Sequence, residues 1–255
     1  MKTALIGYTG FVGATLDASI TPSHRYRSTN VDEIRGESFD HVICAGVQAM
    51  KWWANLHPTE DLAGIDRLLG ALSQVKAKRF TLISSIDVYP IPRGVDETSP
   101  IEKEGHHAYG LNRLHVEDWV AGNFPKVAIL RLPGLFGPGL KKNVIYDMIY
   151  DNGLEKVHPD GVFQYYNTRR LAGDIEQIWK SGVGLLNVSS EPISTSEIRD
   201  RFFAGKHLGG EGPPPPSYDM RSVHASLWGG RDGYLYSKEQ VLGQLGDWLA
   251  TEGHR

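Results

Sequence analysis

The chain has 255 residues, 40% of them hydrophobic and 22% charged. That length and composition give one large domain or two small ones around a buried core, and exclude a disordered or fibrous chain. Its 27 basic and 30 acidic side chains leave a formal charge of −3 with no block of one sign, which argues against a nucleic-acid or anionic-membrane surface, and no apolar run reaches the roughly 20 residues a membrane helix needs.

In chain order, residues 3–7 (Thr-Ala-Leu-Ile-Gly) are a short apolar run ended by glycine and predict a buried strand, with a helix over 11–19. Lys2 and the apolar stretch to Leu16 have the outline of a secretory signal. Gly7, Gly10 and Gly13 interrupt it, Asp17 closes it and no small-x-small cleavage site follows, so it is read as part of the fold. Further strands are expected at 24–28, 41–45, 80–84, 127–132 and 184–188, with helices at 59–74 and 109–121. Strands alternating with helices of this length predict an α/β fold: a doubly wound parallel sheet, Rossmann-like, covered on both faces. After Gly139 the rhythm loosens. Helices are expected at 143–150, at 170–180, after a Ser194 cap with Glu197 three residues on, and at 237–250, while the four prolines within 211–217 predict an extended surface segment. The expected plan is a dinucleotide-binding domain over 1–139, then a mixed region over 140–255 holding a small C-terminal substrate lobe and returning partly to the nucleotide-binding sheet. A single cysteine, Cys44, cannot form an internal disulfide and fits a reducing cytoplasm.

The segment Gly7-Tyr8-Thr9-Gly10-Phe11-Val12-Gly13 joins the first strand to the first helix. There Gly7 permits the turn, Gly10 admits backbone close to a pyrophosphate, and Gly13 lets the helix pack on the sheet. Free amides at the helix start favour negative charge, so the segment predicts a dinucleotide. An NAD site usually has an acidic residue about 20 residues on, for the ribose hydroxyls. Here the region reads Arg25-Tyr26-Arg27-Ser28-Thr29-Asn30. Either Arg27 and Ser28 hold the 2′-phosphate of NADP or they are exposed residues of a sheet edge, and the expected cofactor is NADP or NAD.

Three later segments add to this reading. Thr81-Leu82-Ile83-Ser84-Ser85-Ile86-Asp87-Val88-Tyr89 is a strand running into Ser-Ser with Val-Tyr after it; Tyr109-Gly110-Leu111-Asn112-Arg113, with Glu117 beyond, heads a helix; and residues 130–139 read Leu-Arg-Leu-Pro-Gly-Leu-Phe-Gly-Pro-Gly. With the G-x-x-G-x-x-G turn, these segments resemble the extended branch of the short-chain dehydrogenase/reductase superfamily, the NAD-dependent epimerase/dehydratase-like enzymes that modify sugar nucleotides. The resemblance covers about residues 1–139 well and the rest loosely. It implies that Ser85 is the catalytic hydroxyl and that Tyr109 with position 113 is the active-site Tyr-x-x-x-Lys, here ending in Arg113. It also implies that Cys44, Ala45, Gly46, Ile83, Pro133, Gly134 and Leu135 border the cofactor, together with Tyr109 and Arg113.

The chemistry follows from the residue types. Tyr109 and Arg113 lie one helical turn apart and face the same side. A phenol of ordinary pKa near 10 needs a cation nearby to act as a base at neutral pH. Arginine supplies the charge but not a proton relay. The expected function is an NAD(P)-dependent oxidoreductase, epimerase or dehydratase working by hydride transfer; the alternative, motivated by Arg113, is a non-catalytic NAD(P)-binding sensor or complex-forming subunit. On the substrate side the candidates are Lys51, Trp52, Trp53, Ser85, Asp87, Asn143, Gln164 and Arg169. They would take a small molecule, a nucleotide sugar or, because the chain is shorter than typical extended members, a smaller carbonyl or alcohol. The resemblance implies a homodimer through the helices beginning near Thr59 and Tyr109. The adjacent His106 and His107 cannot face one metal ion from a regular element, and no metal is expected.

Overall fold

The computed structural model describes residues 1–211 and 214–252. Six strands form its central parallel sheet: β1 (Thr3–Ile6), β2 (His24–Tyr26), β3 (Ser38–Cys44), β4 (Lys76–Ser85), β5 (Val127–Leu132) and β6 (Leu185–Asn187). Their spatial order is β6-β5-β4-β3-β1-β2, so the chain reverses direction across the sheet between β1 and β3. This is the doubly wound, Rossmann-like class expected from the alternation of strands and helices. Every residue of β1 is buried, as a strand covered on both faces requires.

The helices are α1 (Phe11–Ile20), α2 (Lys51–Leu56), α3 (Pro58–Leu72), α4 (Ala108–Asn123), α5 (Val144–Tyr150), α6 (Leu171–Ser181), α7 (Thr195–Phe202) and α8 (Lys238–Thr251). Ser194 caps α7 by accepting from the Glu197 amide, and Ser237 caps α8 in a reciprocal box with Gln240. The buried face of α3 is made by Ile65, Leu68, Leu69 and Leu72, which join Ala4, Ile6, Val42, Phe80, Leu82, Val116 and Val120 in one core. Within it the Phe80 and Phe124 rings stack at 4.3 Å. The route from β2 to β3 is a short 3-10 turn, Val31–Ile34, and no strand lies outside β2 among the described residues.

The chain divides into two compact units. The first comprises Met1–Ile91, Ser99–Arg131 and Arg169–Leu186; the second comprises Pro92–Thr98, Leu132–Thr168 and Asn187–Arg255. In the second, short strands pair Gly134–Phe136 with Tyr165–Asn167, Val162–Phe163 with Ile193–Ser194, and Arg93–Val95 with Asp219–Met220. Of the proline segment expected at 211–217, residues 212 and 213 lie outside the described residues. The Pro216 carbonyl accepts from the Val162 amide.

One buried polar group ties stability to pH. The Trp179 indole donates to Thr81 Oγ1 at 2.9 Å, and His41 Nε2 lies 2.8 Å from the same oxygen. Burial, with Arg79 adding to it, pushes the His41 pKa down from 6.5 to about 4. The folded protein thus keeps the ring neutral, whereas the unfolded chain protonates it below its ordinary value. Stability is full above about pH 6.5 and falls as the pH drops towards 4, by up to roughly 3 kcal/mol. Urea unfolding at about pH 7 and pH 4.5 should show this loss in the parent and a clearly smaller one in His41→Gln.

Candidate active site

The glycine turn is built by backbone contact. Gly7 has φ +85°, and a Cβ there would meet the Ala45 carbonyl oxygen at 2.4 Å; a Cβ at Gly13 would sit 1.9 Å from the Gly7 oxygen. Gly7 N donates to Tyr26 O, Gly10 N to Gly7 O and Ala45 N to Ile6 O, which pins the turn against the ends of β2 and β3. Gly10 begins α1 without any side-chain cap, and Thr9 and Gly10 are exposed with Phe11 and Val12 half-buried. The first amides of α1 therefore remain for an anion, in a cradle that admits no side chain. These residues fit the pyrophosphate of a dinucleotide.

Around it the structure gathers part of the expected set. Ala45 follows the last residue of β3 and contacts the turn, Ile83 is half-buried near the end of β4, and Gly46 is exposed. Cys44 is fully buried, and burial pushes its thiol up to about 11, so it is an inert wall residue. Beyond β2, Arg27 is exposed, its Nε donating to Thr29 Oγ1 at 2.9 Å and its backbone amide to Asn30 Oδ1 at 2.7 Å; Ser28 is exposed beside it.

The second cluster sits at the carboxyl end of β4 and the start of α4. Ser85 ends the strand and accepts from the Asp87 amide at 3.1 Å. Its hydroxyl acts on the buried Tyr109 phenol, pulling the phenol pKa down. Asn55 accepts from the Tyr109 amide at 2.9 Å and His107 Nδ1 from the Gly110 amide at 3.0 Å, so two side chains cap α4 and fix where its first turn lies. His106 is buried, with Nε2 held 2.9 Å from the Val88 carbonyl, so the histidine pair serves the turn into α4.

Arg113 departs most from expectation. Its guanidinium stacks 3.9 Å from the Tyr109 ring centroid, but both its terminal nitrogens are engaged by Asp61, one contact being 3.0 Å. The Gln48 carbonyl accepts from it as well, and Asn112 donates to Asp61 at 2.8 Å. Burial raises the Tyr109 pKa; Arg113 and the Ser85 hydrogen bond pull it down, and Asp87 and Asp61 push it up, leaving it above its ordinary value. The cation predicted to favour phenolate is present, but burial outweighs it. Asp61 was missed from sequence, although it occupies a buried-face position of α3, four residues before Ile65, where an acid signals a buried partner.

Among the substrate candidates, Lys51 Nζ pairs with Asp87 Oδ1 at 2.7 Å, at the carboxyl ends of the strands. Trp52 is 62% exposed, and Trp53 packs on the His57 ring at 5.3 Å. Arg169 is exposed at the start of its segment. Two expectations are corrected. Gln164 is buried with its whole amide spent on the Met220 amide and the Ser190 and Met220 carbonyls, so it pins backbone rather than substrate. Asn143, at φ +138°, caps α5 through the Tyr146 amide and donates to the Leu135 carbonyl, so both ends of its amide are taken. In the same unit Pro133 is buried, Leu135 is half-buried, and Gly134 N donates to the Gln164 carbonyl at 3.0 Å.

Sheet order, glycine cradle and a serine–tyrosine pair at the strand ends define a Rossmann-like dinucleotide-binding α/β protein. The chain belongs to the NAD dependent epimerase/dehydratase family, whose model matches residues 25–171, more than half of the sequence. Among solved structures it is similar to a dTDP-4-dehydrorhamnose reductase from Clostridium acetobutylicum, at 18% identity and TM-score 0.73 over 99% of this chain and 100% of that one. It is similar to the Bordetella bronchiseptica enzyme WbmG in complex with NAD and UDP, at 17% identity and TM-score 0.74 over 100% and 95% of the two chains. A UDP-galactose 4-epimerase shares 16% identity over 99% of each chain, with TM-score 0.72. No curated protein matches the sequence. Among the described residues, no helix is long and apolar enough to cross a membrane.

Proposed function

We propose that this family member transfers hydride to or from a carbonyl or alcohol carbon of a nucleotide sugar or related small molecule, with Tyr109 moving the proton and Ser85 orienting the substrate oxygen. The observation that carries this reading is the placing of Ser85, the last residue of β4, with the buried Tyr109 of α4 at the carboxyl end of that strand, where doubly wound sheets take their ligands. A substrate oxygen at that pair receives the Ser85 hydroxyl as donor while the phenol gives or takes its proton. Gly7, Thr9, Gly10, Phe11, Val12 and Gly13 would hold the pyrophosphate of NAD or NADP, with Cys44, Ala45, Gly46, Ile83, Pro133, Gly134 and Leu135 bordering the rest. When bound, that cofactor supplies the hydride donor or acceptor. Arg27 and Ser28 are the residues for a ribose 2′-phosphate, since no acidic side chain stands at the end of β2. Lys51, with Asp87, Trp52, Trp53 and Arg169, is assigned to the substrate: a cation for an anionic group and rings for stacking. Residues 1–139 serve the dinucleotide and 140–255 supply the substrate lobe, in a cytoplasmic homodimer formed through α3 and α4.

Tyr109→Phe tests the assignment. Nicotinamide absorbance should be followed over a panel of UDP-, dTDP- and GDP-linked sugars and their keto forms. Turnover should fall about 10²- to 10⁴-fold while dinucleotide affinity stays within twofold of the parent. Equal residual turnover in the variant removes Tyr109 from the chemistry. Binding without turnover by the parent supports the sensor reading, which the pairing of Arg113 with Asp61 favours.

A further inference from the structure

Two ion pairs act on Tyr109. In the first, Arg113 covers its ring and gives the N–H groups of its two terminal nitrogens to Asp61 of α3, the Gln48 carbonyl and the Tyr109 carbonyl. Arg113 and Asp61 are 4% and 5% exposed, so water screens neither. In the second, Asp87, just past β4, is held by Lys51 of α2. The remaining neighbours are Ser85 of β4, Asn55 of α2 on the Tyr109 amide, and His107, whose ring lies 6.4 Å away and whose pKa burial lowers. Each carboxylate facing the phenol thus has its own cation. Arg113, alone, would draw the phenol towards phenolate; paired in a dry site, it is half of a neutral unit.

We infer that Asp61 is a positioning residue that, by holding Arg113 as a neutral pair over the ring, keeps the Tyr109 hydroxyl protonated through neutral pH and so readies the site to give a proton to a carbonyl oxygen rather than to take one from an alcohol. This rests on the hydride-transfer reading above and narrows its substrate to a carbonyl compound, keto sugars included. In the step, the Tyr109 O–H bond breaks with its electron pair left on the phenol oxygen. The proton passes to the substrate oxygen, and the C=O bond becomes C–OH as its carbon takes the hydride that a reduced nicotinamide supplies; solvent then reprotonates the tyrosinate. The direction of the Tyr109 pKa, raised first by burial and further by Asp87 and Asp61 against Arg113 and Ser85, agrees with the geometry.

The test is an ultraviolet titration of tyrosinate in protein free of nucleotide, read as the difference from the same protein carrying Tyr109→Phe. In Asp61→Asn, the Tyr109 signal should appear about one pH unit or more below the parent. An unchanged midpoint overturns the inference. If Asp61→Asn fails to fold, Asp61→Asn with Arg113→Gln removes both charges together. Tyr109 should then titrate within about one unit of the parent, and a larger shift overturns the neutral-pair argument. In turnover of a keto-sugar nucleotide with NADH or NADPH, the alkaline limb of kcat should move down by the same interval in Asp61→Asn, with KM little changed. A shifted titration in a protein that turns over no carbonyl or alcohol overturns the hydride-transfer reading and, with it, the substrate class, but leaves the hold of Asp61 on Tyr109 supported. Turnover with an unshifted titration overturns the role of Asp61 alone.

Discussion

Gly13→Ala should abolish dinucleotide binding, leaving no fluorescence quench with millimolar NADH or NADPH, and should cost about 2–3 kcal/mol of stability in urea unfolding. The clash is with backbone: the new Cβ would lie 1.9 Å from the Gly7 carbonyl oxygen and 2.6 Å from its carbon. A flexible side chain would turn aside, but the Gly7 carbonyl also accepts from the Gly10 amide, and Gly7 N is bound to Tyr26 O. Relief therefore requires α1 to back away from the turn, carrying with it the amides that face the phosphates. Gly64→Ala on α3 is the control, because a Cβ there meets nothing within 4 Å. It should leave binding intact and stabilise by about 0.4–1 kcal/mol. Parent-like affinity in Gly13→Ala would place the dinucleotide elsewhere.

That turn was legible in the sequence because it is local: strand, glycines and helix follow one another within thirteen residues of the N-terminus. The same holds for β1 and β5, mostly apolar runs expected at 3–7 and 127–132 and found at Thr3–Ile6 and Val127–Leu132, and for α7, announced by its Ser194 cap. β4 starts earlier than its apolar core suggested. The charged residues Lys76, Lys78 and Arg79 break the apolar run, yet Lys76 and Arg79 pair with Ser38 and His41 of β3, and Lys78 bonds Asp40 at 2.7 Å. Six residues are too few to show a helical period, so α2 was read only as a substrate segment. The short strands of the second unit depend on partners far along the chain, as Arg93–Val95 does on Asp219–Met220, and no local pattern marks them.

Within the site, the spacing of Ser85, Tyr109 and Arg113 was visible and what surrounds them was not. Gln164 looked like a substrate contact because its partners Ser190 and Met220 are 26 and 56 residues away. Arg113 looked like a free cation for the same reason: Asp61 lies 52 residues earlier, on another helix. Residue type predicts what a side chain is able to do. Its long-range partner decides whether that capacity is still free.

The second buried ion pair extends the point to stability, and Arg131→Met is expected to lower it by about 3–5 kcal/mol, a large share of the roughly 5–15 kcal/mol that holds a domain folded. Glu117 and Arg131 are each 4% exposed. Arg131 Nη2 donates to Glu117 Oε2 at 2.6 Å and Nε to Oε1 at 3.0 Å, while Nη1 donates to the Tyr89 hydroxyl at 2.7 Å and Ser84 donates to the carboxylate. Burial opposes the charge on Arg131, but Glu117 and Tyr89 reverse that and hold its pKa above the ordinary value. Removing the guanidinium leaves a carboxylate in the dry interior with only the Ser84 hydroxyl among these partners. If the loss comes from that stranded charge, Glu117→Gln added to Arg131→Met should recover most of it, to within about 2 kcal/mol of the parent. If the double variant is instead as unstable as the single, the value of the pair lies in its own hydrogen bonds. The network joins α4, which begins at the Tyr109 turn, to Ser84, the residue before Ser85. The single variant should therefore lose turnover through kcat more than through KM, and urea unfolding beside steady-state kinetics on the two proteins separates a fold merely weakened from a serine–tyrosine pair pulled out of register.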